Sequence, residues 1–186
     1  MNQEAISILK KGGVGILPTD TIYGLVGSAF SESAVSRIYE LKGRDKDKPL
    51  IILISEISDL EKFGVKIGGN TRDILKKYWP GKVSIILPCD KKEFEYLHRG
   101  ANSLAFRLTD KADLISLIKQ TGPIVAPSAN LQNLEPAKNI EEAKEYFGDN
   151  VDFYIDGNEL ISEPSTLIKI ENDEVVILRK GSVSLQ

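Results

Sequence analysis

The segment Leu50-Ile51-Ile52-Leu53-Ile54 is the longest uninterrupted apolar run of this 186-residue chain. A short apolar run that is rich in isoleucine is typical of a strand buried on both faces. Before it, the spacing of apolar residues predicts a helix with Ser31 as its N-cap and its last residue near Leu41. After it, the spacing predicts helices near 57–63 and 71–79. A buried strand between helices indicates a sheet with helices packed on its faces.

Strand and helix patterns alternate along the rest of the chain. A first helix near 5–9 ends at Gly12-Gly13, and Asp110 is predicted to cap a helix that runs to Gln120. The remaining predicted elements are strands at 14–18, 83–87, 104–108, 123–126, 151–155, 166–170 and 175–178 and a helix at 140–147. Because the last two strands form a hairpin-like pair, the predicted fold class is α/β (α+β) with a mixed sheet, in a single domain over 1–186.

Composition disfavours several classes of function. The 24 Lys+Arg and 27 Asp+Glu residues give a net charge of −3, which is not typical of a protein that binds nucleic acid through its overall charge. The single cysteine, Cys89, excludes an intramolecular disulfide framework. The single histidine, His98, disfavours His-rich metal sites and Ser-His-Asp catalysis. Both lie in a predicted polar loop.

The chain shows no membrane-spanning or secretion pattern. Its longest apolar run is far shorter than the about 20 residues that a membrane helix needs. The N-terminal residues lack a basic start followed by an apolar stretch. We therefore expect a cytoplasmic protein that makes no membrane contact.

Polar residues cluster where predicted strands run out into loops, which is where α/β sheets bind ligands. The first cluster is Thr19-Asp20-Thr21 with Tyr23, whose hydroxyl groups can bond a small polar ligand. The alternative is a turn in which these side chains bond their own backbone.

The second cluster holds three cations, Lys42, Arg44 and Lys48, at even spacing. In an extended segment this spacing sends side chains to one face, where they can converge on a polyphosphate. The alternative is a solvated loop in which Asp45 and Asp47 pair with the cations.

Two further clusters follow later strands. Arg107 ends an apolar strand, and it either grips a substrate carboxylate or forms a salt bridge to Asp110. Ser128 and Asn130, in a stretch of small residues, offer hydrogen bonds or form a capped turn. Neither of the two common glycine-rich phosphate loops is present in the sequence.

These clusters, in this order, resemble the YrdC-like threonylcarbamoyl-AMP synthase family in its short single-domain bacterial form. The similarity extends from about Gly12 to Ser182. It rests on the motifs Pro-Thr-Asp-Thr-Ile-Tyr-Gly-Leu, Lys-Gly-Arg, Lys-Pro-Leu, Trp-Pro-Gly-Lys-Val, Ala-Phe-Arg, Ala-Pro-Ser-Ala-Asn-Leu, Pro-Ser-Thr and Leu-Arg-Lys-Gly. The resemblance implies an open twisted sheet with a large, positively lined cavity.

The resemblance also implies an activity. Family members use L-threonine, bicarbonate and ATP, with Mg²⁺ accompanying the ATP, to make threonylcarbamoyl-adenylate and pyrophosphate. A threonylcarbamoyl-transfer enzyme complex then modifies adenosine 37 of tRNA. Since no residue offers a convincing general base, we expect catalysis by positioning and by cations that neutralise the departing pyrophosphate.

Site residues follow from the same resemblance, position by position. The implied catalytic phosphate contacts are Lys42, Arg44 and Lys48. The implied ATP contacts are Arg44, Lys48, Ser103, Asn130, Lys138 and Arg179. The implied threonine contacts are Thr21, Arg107, Ser128 and Ser165. No protein metal ligand is implied.

The sequence departs from longer relatives at two points. Leu53 stands where they have a histidine that contacts threonine, and the chain ends at Gln186 without their linker and additional domain. Two alternative functions remain open: a protein that binds double-stranded RNA or tRNA without turnover, and a carbamoyltransferase domain that forms a carbamoyl-adenylate.

Overall fold

The apolar run at 50–54 forms a central strand of the structure, a computed structural model that describes residues 3–45, 47–171 and 174–185. The strands are β1 Val14–Pro18, β2 Tyr23–Ser28, β3 Ile51–Ile54, β4 Val83–Pro88, β5 Ser103–Leu108, β6 Ile124–Val125, β7 Phe153–Tyr154, β8 Thr166–Glu171 and β9 Glu174–Arg179. The α-helices are α1 Gln3–Lys10, α2 Glu32–Lys42, α3 Asp59–Lys62, α4 Gly69–Tyr78, α5 Glu95–His98, α6 Ala112–Thr121 and α7 Ile140–Phe147. Short 3₁₀ turns lie at Lys92–Phe94 and Gly148–Asn150.

All these strands belong to one sheet, in the order β7-β1-β2-β6-β3-β5-β4-β8-β9. Strand β3 pairs in parallel with β5 and antiparallel with β6. The last two strands, β8 and β9, form the predicted antiparallel pair. The sheet is therefore mixed and open, with β7 and β9 at its edges, and the predicted fold class is confirmed.

Helices cover both faces of the sheet, so side chains of β3 are buried on either side. Ile52 and Ile54 join the larger core cluster, which includes residues of α2. Leu53 points the other way, into a second cluster with residues of α1 and α6. All three side chains are fully buried, as the apolar run predicts.

Helix α2 begins and ends as its sequence predicts. The Ser31 hydroxyl accepts a hydrogen bond from the backbone N–H of Ala34 at 3.2 Å. At the other end Gly43 adopts a left-handed conformation with φ of 58°, which suits glycine. Gly27 lies beneath this helix, where an added Cβ would stand 3.1 Å from the Cδ1 of Ile38. The helix and sheet can approach this closely because position 27 has no side chain.

The structure corrects two predictions. Lys111, and not Asp110, is the N-cap residue of α6, and the Thr109 hydroxyl accepts the Lys111 N–H at 3.2 Å. The predicted polar loop around Cys89 and His98 contains a 3₁₀ turn and α5, which bury both side chains. Among the described residues, no helix is both long and apolar enough to cross a membrane.

Candidate functional site

A cavity of about 270 Å³ lies where the β1–β2 turn, the end of β5, the loop after β6 and the start of β8 meet. Three arginines line it, namely Arg44, Arg107 and Arg179. Hydroxyl side chains line it as well, namely Thr19, Thr21, Tyr23, Ser128 and Ser165. No acidic residue is among the described residues that form its wall. We call it the central cavity. Its positive wall suits a carboxylate or phosphate ligand.

Arg107 forms a buried ion pair beside the cavity. Its Nη2 donates to Oδ1 of Asp20 at 2.7 Å, and the two side chains are only 3% and 1% exposed. Thr21 Oγ1 accepts a longer bond from the same nitrogen at 3.4 Å. The alternative of a salt bridge to Asp110 is therefore wrong, since the partner is Asp20. Nε of Arg107 and Oδ2 of Asp20 are buried without hydrogen-bond partners.

The Thr19-Asp20-Thr21 turn has features of both predicted alternatives, a turn that bonds its own backbone and hydroxyl groups that face a ligand site. Thr19 Oγ1 donates to the Ile22 carbonyl at 2.7 Å and accepts the Thr21 N–H at 3.1 Å, so the turn does bond its own backbone. The two threonine hydroxyls also lie 3.2 Å apart and line the cavity. The self-bonded turn thus fixes the hydroxyl groups that it presents.

The predicted convergence of Lys42, Arg44 and Lys48 is wrong, because they do not share an extended segment. Lys42 is the last residue of α2, and the chain then turns at Gly43. The Lys42 side chain is buried, and Nζ donates to the carbonyls of Ser128 and Asn130 at 2.5 and 2.7 Å. Lys42 therefore lies behind the 128–130 loop and acts on the cavity through it.

Arg44 alone of these three cations lines the central cavity. Its Nε and Nη2 donate to the carbonyls of Lys48 and Pro49 at 3.1 and 3.2 Å. Lys48 itself points away and pairs with Asp45 at 2.6 Å, with both side chains half exposed or more. For Lys48, the predicted alternative of a solvated pair describes the structure.

The loop after β6 is held by its own side chains. Asn130 Oδ1 accepts from the Ser128 hydroxyl at 2.6 Å and from Lys42 Nζ at 3.0 Å. Asn130 Nδ2 donates to the carbonyls of Leu131 and Leu134 at 3.0 and 2.6 Å. The amide predicted to contact ATP thus holds the loop, while Ser128 and Asn130 both line the cavity.

Burial lowers the pKa of three of these cations, namely Lys42, Arg44 and Arg179. Burial, with a further contribution from Arg44, lowers the pKa of Lys42 from 10.5 to about 7. The pKa of Arg179 is lowered by loss of hydration and then by the charges of Arg107 and Arg44. The charges of Arg107 and Arg44 therefore repel that of Arg179, and an anion among the three arginines relieves that repulsion.

Ser165 and Arg179 line the cavity together. Arg179 Nη2 donates to the Ser165 carbonyl at 2.8 Å, with Ser165 Oγ at 3.4 Å. The Ser165 hydroxyl is also 2.8 Å from that of Ser84, and it is almost completely buried.

Besides Lys48, two more predicted ATP contacts, Ser103 and Lys138, lie outside the central cavity. Ser103 begins β5, and four residues of strand place it about 13 Å from Arg107. Lys138 lines a second cavity of about 600 Å³, which shares Ile22, Pro136 and Pro164 with the first. Leu53 does not line the central cavity either, because its side chain faces the opposite core.

Sequence reasoning missed Asp20 as a partner of Arg107. It also missed Lys111, whose Nζ donates to the carbonyls of Pro18 and Thr19 at 3.0 and 3.2 Å and so braces the turn. Two features of the sequence could have indicated the Arg107–Asp20 pair. An arginine in an apolar strand needs an acidic partner if it is buried, and Asp20 lies between two threonines in a predicted turn.

The fold and site define a class of protein: an α/β protein with an open mixed sheet and an arginine-lined cavity that suits anionic ligands. Residues 7–181 match the Sua5_yciO_yrdC family model, whose description is "Telomere recombination". The chain belongs to this family, which confirms the resemblance predicted from its motifs.

Three relatives show the extent of the similarity. Threonylcarbamoyl-AMP synthase of Bacillus subtilis (strain 168) is 33% identical over 97% of this chain and 53% of its own length. P. abyssi Sua5, in a crystal structure with L-threonine, has a TM-score of 0.88 and 33% identity over 95% of this chain and 53% of that chain. E. coli YciO has a TM-score of 0.84 and 25% identity, covering 95% and 87%. The chain spans about half the length of the first two relatives.

Proposed function

We propose that this chain catalyses formation of threonylcarbamoyl-adenylate and pyrophosphate from L-threonine, bicarbonate and ATP. The observation that carries the proposal is the single cavity that gathers Arg44, Arg107 and Arg179 with hydroxyl side chains. The name of the B. subtilis relative, threonylcarbamoyl-AMP synthase, supports the adenylate product, and the P. abyssi Sua5 complex with L-threonine supports the amino-acid substrate. A threonylcarbamoyl-transfer enzyme complex then uses the product to modify adenosine 37 of tRNA.

The amino acid takes the Arg107 side of the cavity. Arg107 is fixed by Asp20, so its guanidinium meets a carboxylate with little loss of side-chain entropy. Thr21, Ser128 and Ser165 supply hydroxyl groups around the same space. These are the four residues predicted to hold threonine, and the cavity wall contains all of them.

The nucleotide takes the remaining wall. Arg44 and Arg179 face its phosphates, and the adjoining cavity with Lys138 gives room for the rest of the molecule. Lys48 reaches a phosphate only after it leaves Asp45, an exposed pair that is worth little. Lys42 is a positioning residue, because it holds the loop that carries Ser128 and Asn130.

The reaction needs two bond-forming steps. The threonine nitrogen attacks the carbon of bicarbonate-derived CO₂ and loses a proton to solvent, which gives a carbamate. A carbamate oxygen then attacks the α-phosphorus as the bond to the bridging oxygen breaks and pyrophosphate leaves. No imidazole, thiol or carboxylate lies among the described wall residues, so we assign catalysis to positioning and charge neutralisation.

Mg²⁺ is proposed to enter with the triphosphate. The described residues contain no group of three or more His, Cys, Asp or Glu side chains that could hold a metal ion. A hard divalent cation therefore finds its oxygen ligands on the phosphates and on water. When bound, it neutralises phosphate charge.

Pyrophosphate release, measured with each substrate omitted in turn, tests the proposal. We expect release only when ATP, L-threonine and bicarbonate are all present, with threonylcarbamoyl-adenylate detected by mass spectrometry. Release with carbamoyl phosphate in place of threonine and bicarbonate would instead identify a carbamoyltransferase domain. Salt-sensitive RNA binding without any turnover would identify an RNA-binding protein.

A further inference from the structure

A second group of arginine side chains lies behind the wall of the central cavity. A cavity of about 290 Å³ is lined by Ser36, Tyr39, Glu40, Gly43, Arg44 and Arg99. Arg44 lines both cavities, so it forms the wall between them. We call this smaller space the Arg99 cavity.

Arg99 is held in place but its charge is not paired. Its Cζ lies 4.4 Å from the centroid of the Tyr39 ring, in a cation–π contact. Its Nε is buried without a hydrogen-bond partner. None of the ion pairs found among the described residues involves Arg99 or Arg44. Two guanidinium groups thus converge on one tyrosine with no carboxylate bound to either.

The backbone at Arg99 is unusual as well. Arg99 follows the last residue of α5 in a left-handed conformation with φ of 51°, which side-chain-bearing residues rarely adopt. Such outliers persist where the surrounding structure fixes them, and they are frequent at ligand sites. Tyr39 is itself fixed, since its hydroxyl donates to the Lys48 carbonyl at 2.9 Å.

One carboxylate, Glu40, is among the residues that line the Arg99 cavity. Glu40 is exposed to solvent, which screens its charge. Glu32, Asp47 and Glu95 do not line the Arg99 cavity but a separate cavity, which Arg99 lines as well. An anion between Arg44 and Arg99 therefore meets two cations directly and one solvated carboxylate.

We propose that Arg99 and Arg44 form a second anion site, which takes the pyrophosphate end of the bound nucleotide and the pyrophosphate that leaves it. The identity of this ligand rests on the proposed function, because adenylate formation releases pyrophosphate beside Arg44. The planar guanidinium fork matches phosphate oxygens, and Arg99 lines the cavity without a carboxylate partner among the described ion pairs.

Calorimetric titration of inorganic pyrophosphate and of AMP tests the site without any need for turnover. We expect Arg99→Gln to weaken pyrophosphate binding about tenfold and to leave AMP binding unchanged, because AMP has no pyrophosphate end. Arg72→Gln is the matched control, since Arg72 is an exposed arginine of α4 that lines none of the described cavities. Glu40→Gln is expected to strengthen pyrophosphate binding.

A second variant separates a loss of pyrophosphate binding from a loss of folding. Asparagine tolerates the left-handed conformation better than arginine, so Arg99→Asn should unfold no more easily than the wild type and still lose pyrophosphate affinity. Equal pyrophosphate affinity in the wild type and both Arg99 variants overturns the site, whatever the activity. If the Arg99 variants bind pyrophosphate more weakly, as expected, but the wild type makes no adenylate, the proposed function is overturned and the anion site is kept.

Discussion

Two ion pairs of nearly equal length show how differently the ends of this site are built. Arg107 and Asp20 are 2.7 Å apart with side chains 3% and 1% exposed. Lys48 and Asp45 are 2.6 Å apart with side chains 59% and 50% exposed. A buried pair fixes its geometry because neither partner can turn to water, whereas an exposed pair is readily exchanged. The Arg107 side of the cavity, which takes the amino acid, is therefore preformed. The side that takes the phosphates needs Lys48 to move when the ligand binds.

The largest expected effect comes from removing one partner of the buried pair. Arg107→Ala leaves the Asp20 carboxylate buried and unpaired, which should cost about 3–5 kcal/mol of unfolding free energy. Denaturant unfolding measures it, with Lys48→Ala as the control that should change stability by less than about 1 kcal/mol. Equal destabilisation by both variants would contradict the claim that the buried ion pair contributes more to stability than the exposed one.

Asp20→Asn sharpens the comparison, because it keeps the shape of the partner and removes its charge. Arg107 stays in place less firmly, so we expect the KM for L-threonine to rise about tenfold while the KM for ATP is unchanged. Steady-state kinetics measure the two constants, with Asp73→Asn on exposed α4 as the control. An effect on both KM values alike would show that Asp20 supports the whole fold and not the amino-acid end.

Lys42 lies between the two ion pairs in character, since its side chain is buried but it bonds to carbonyl groups and not to a carboxylate. Its folded-state pKa of about 7 lies below the ordinary 10.5, so between these values the unfolded chain binds the extra proton. Stability of the wild type should therefore rise with pH in this window, by at most about 1.4 kcal/mol per pH unit. Unfolding curves from pH 7 to 10 test this against Lys42→Met, which lacks the titrating group. A difference between the two proteins that stays constant with pH would contradict it.

The sequence predicted those features that depend on local patterns. The run at 50–54 gave the buried strand, Ser31 gave the start of α2, and the pattern at 140–147 gave α7. Strand β2 was missed because Gly24 and Gly27 interrupt its apolar pattern, although close packing against α2 requires glycine at position 27.

The site was predicted less completely, because its decisive contacts join distant parts of the chain. Asp20 and Arg107 are 87 residues apart, and no local pattern pairs them. Even spacing was misleading for the second cluster, since α2 continues through Lys42 and a turn follows. Arg99 was not predicted as a site residue, because its proposed role depends on its packing against Tyr39, which no local pattern indicates.

Binding of L-threonine compared with that of its methyl ester most directly tests whether the preformed arginine receives a substrate carboxylate. The ester keeps the amine and the side-chain hydroxyl but lacks the negative charge, so no mutation is needed. Calorimetry should show binding of the acid and an affinity for the ester that is at least about tenfold weaker. Equal affinities for acid and ester would contradict the account.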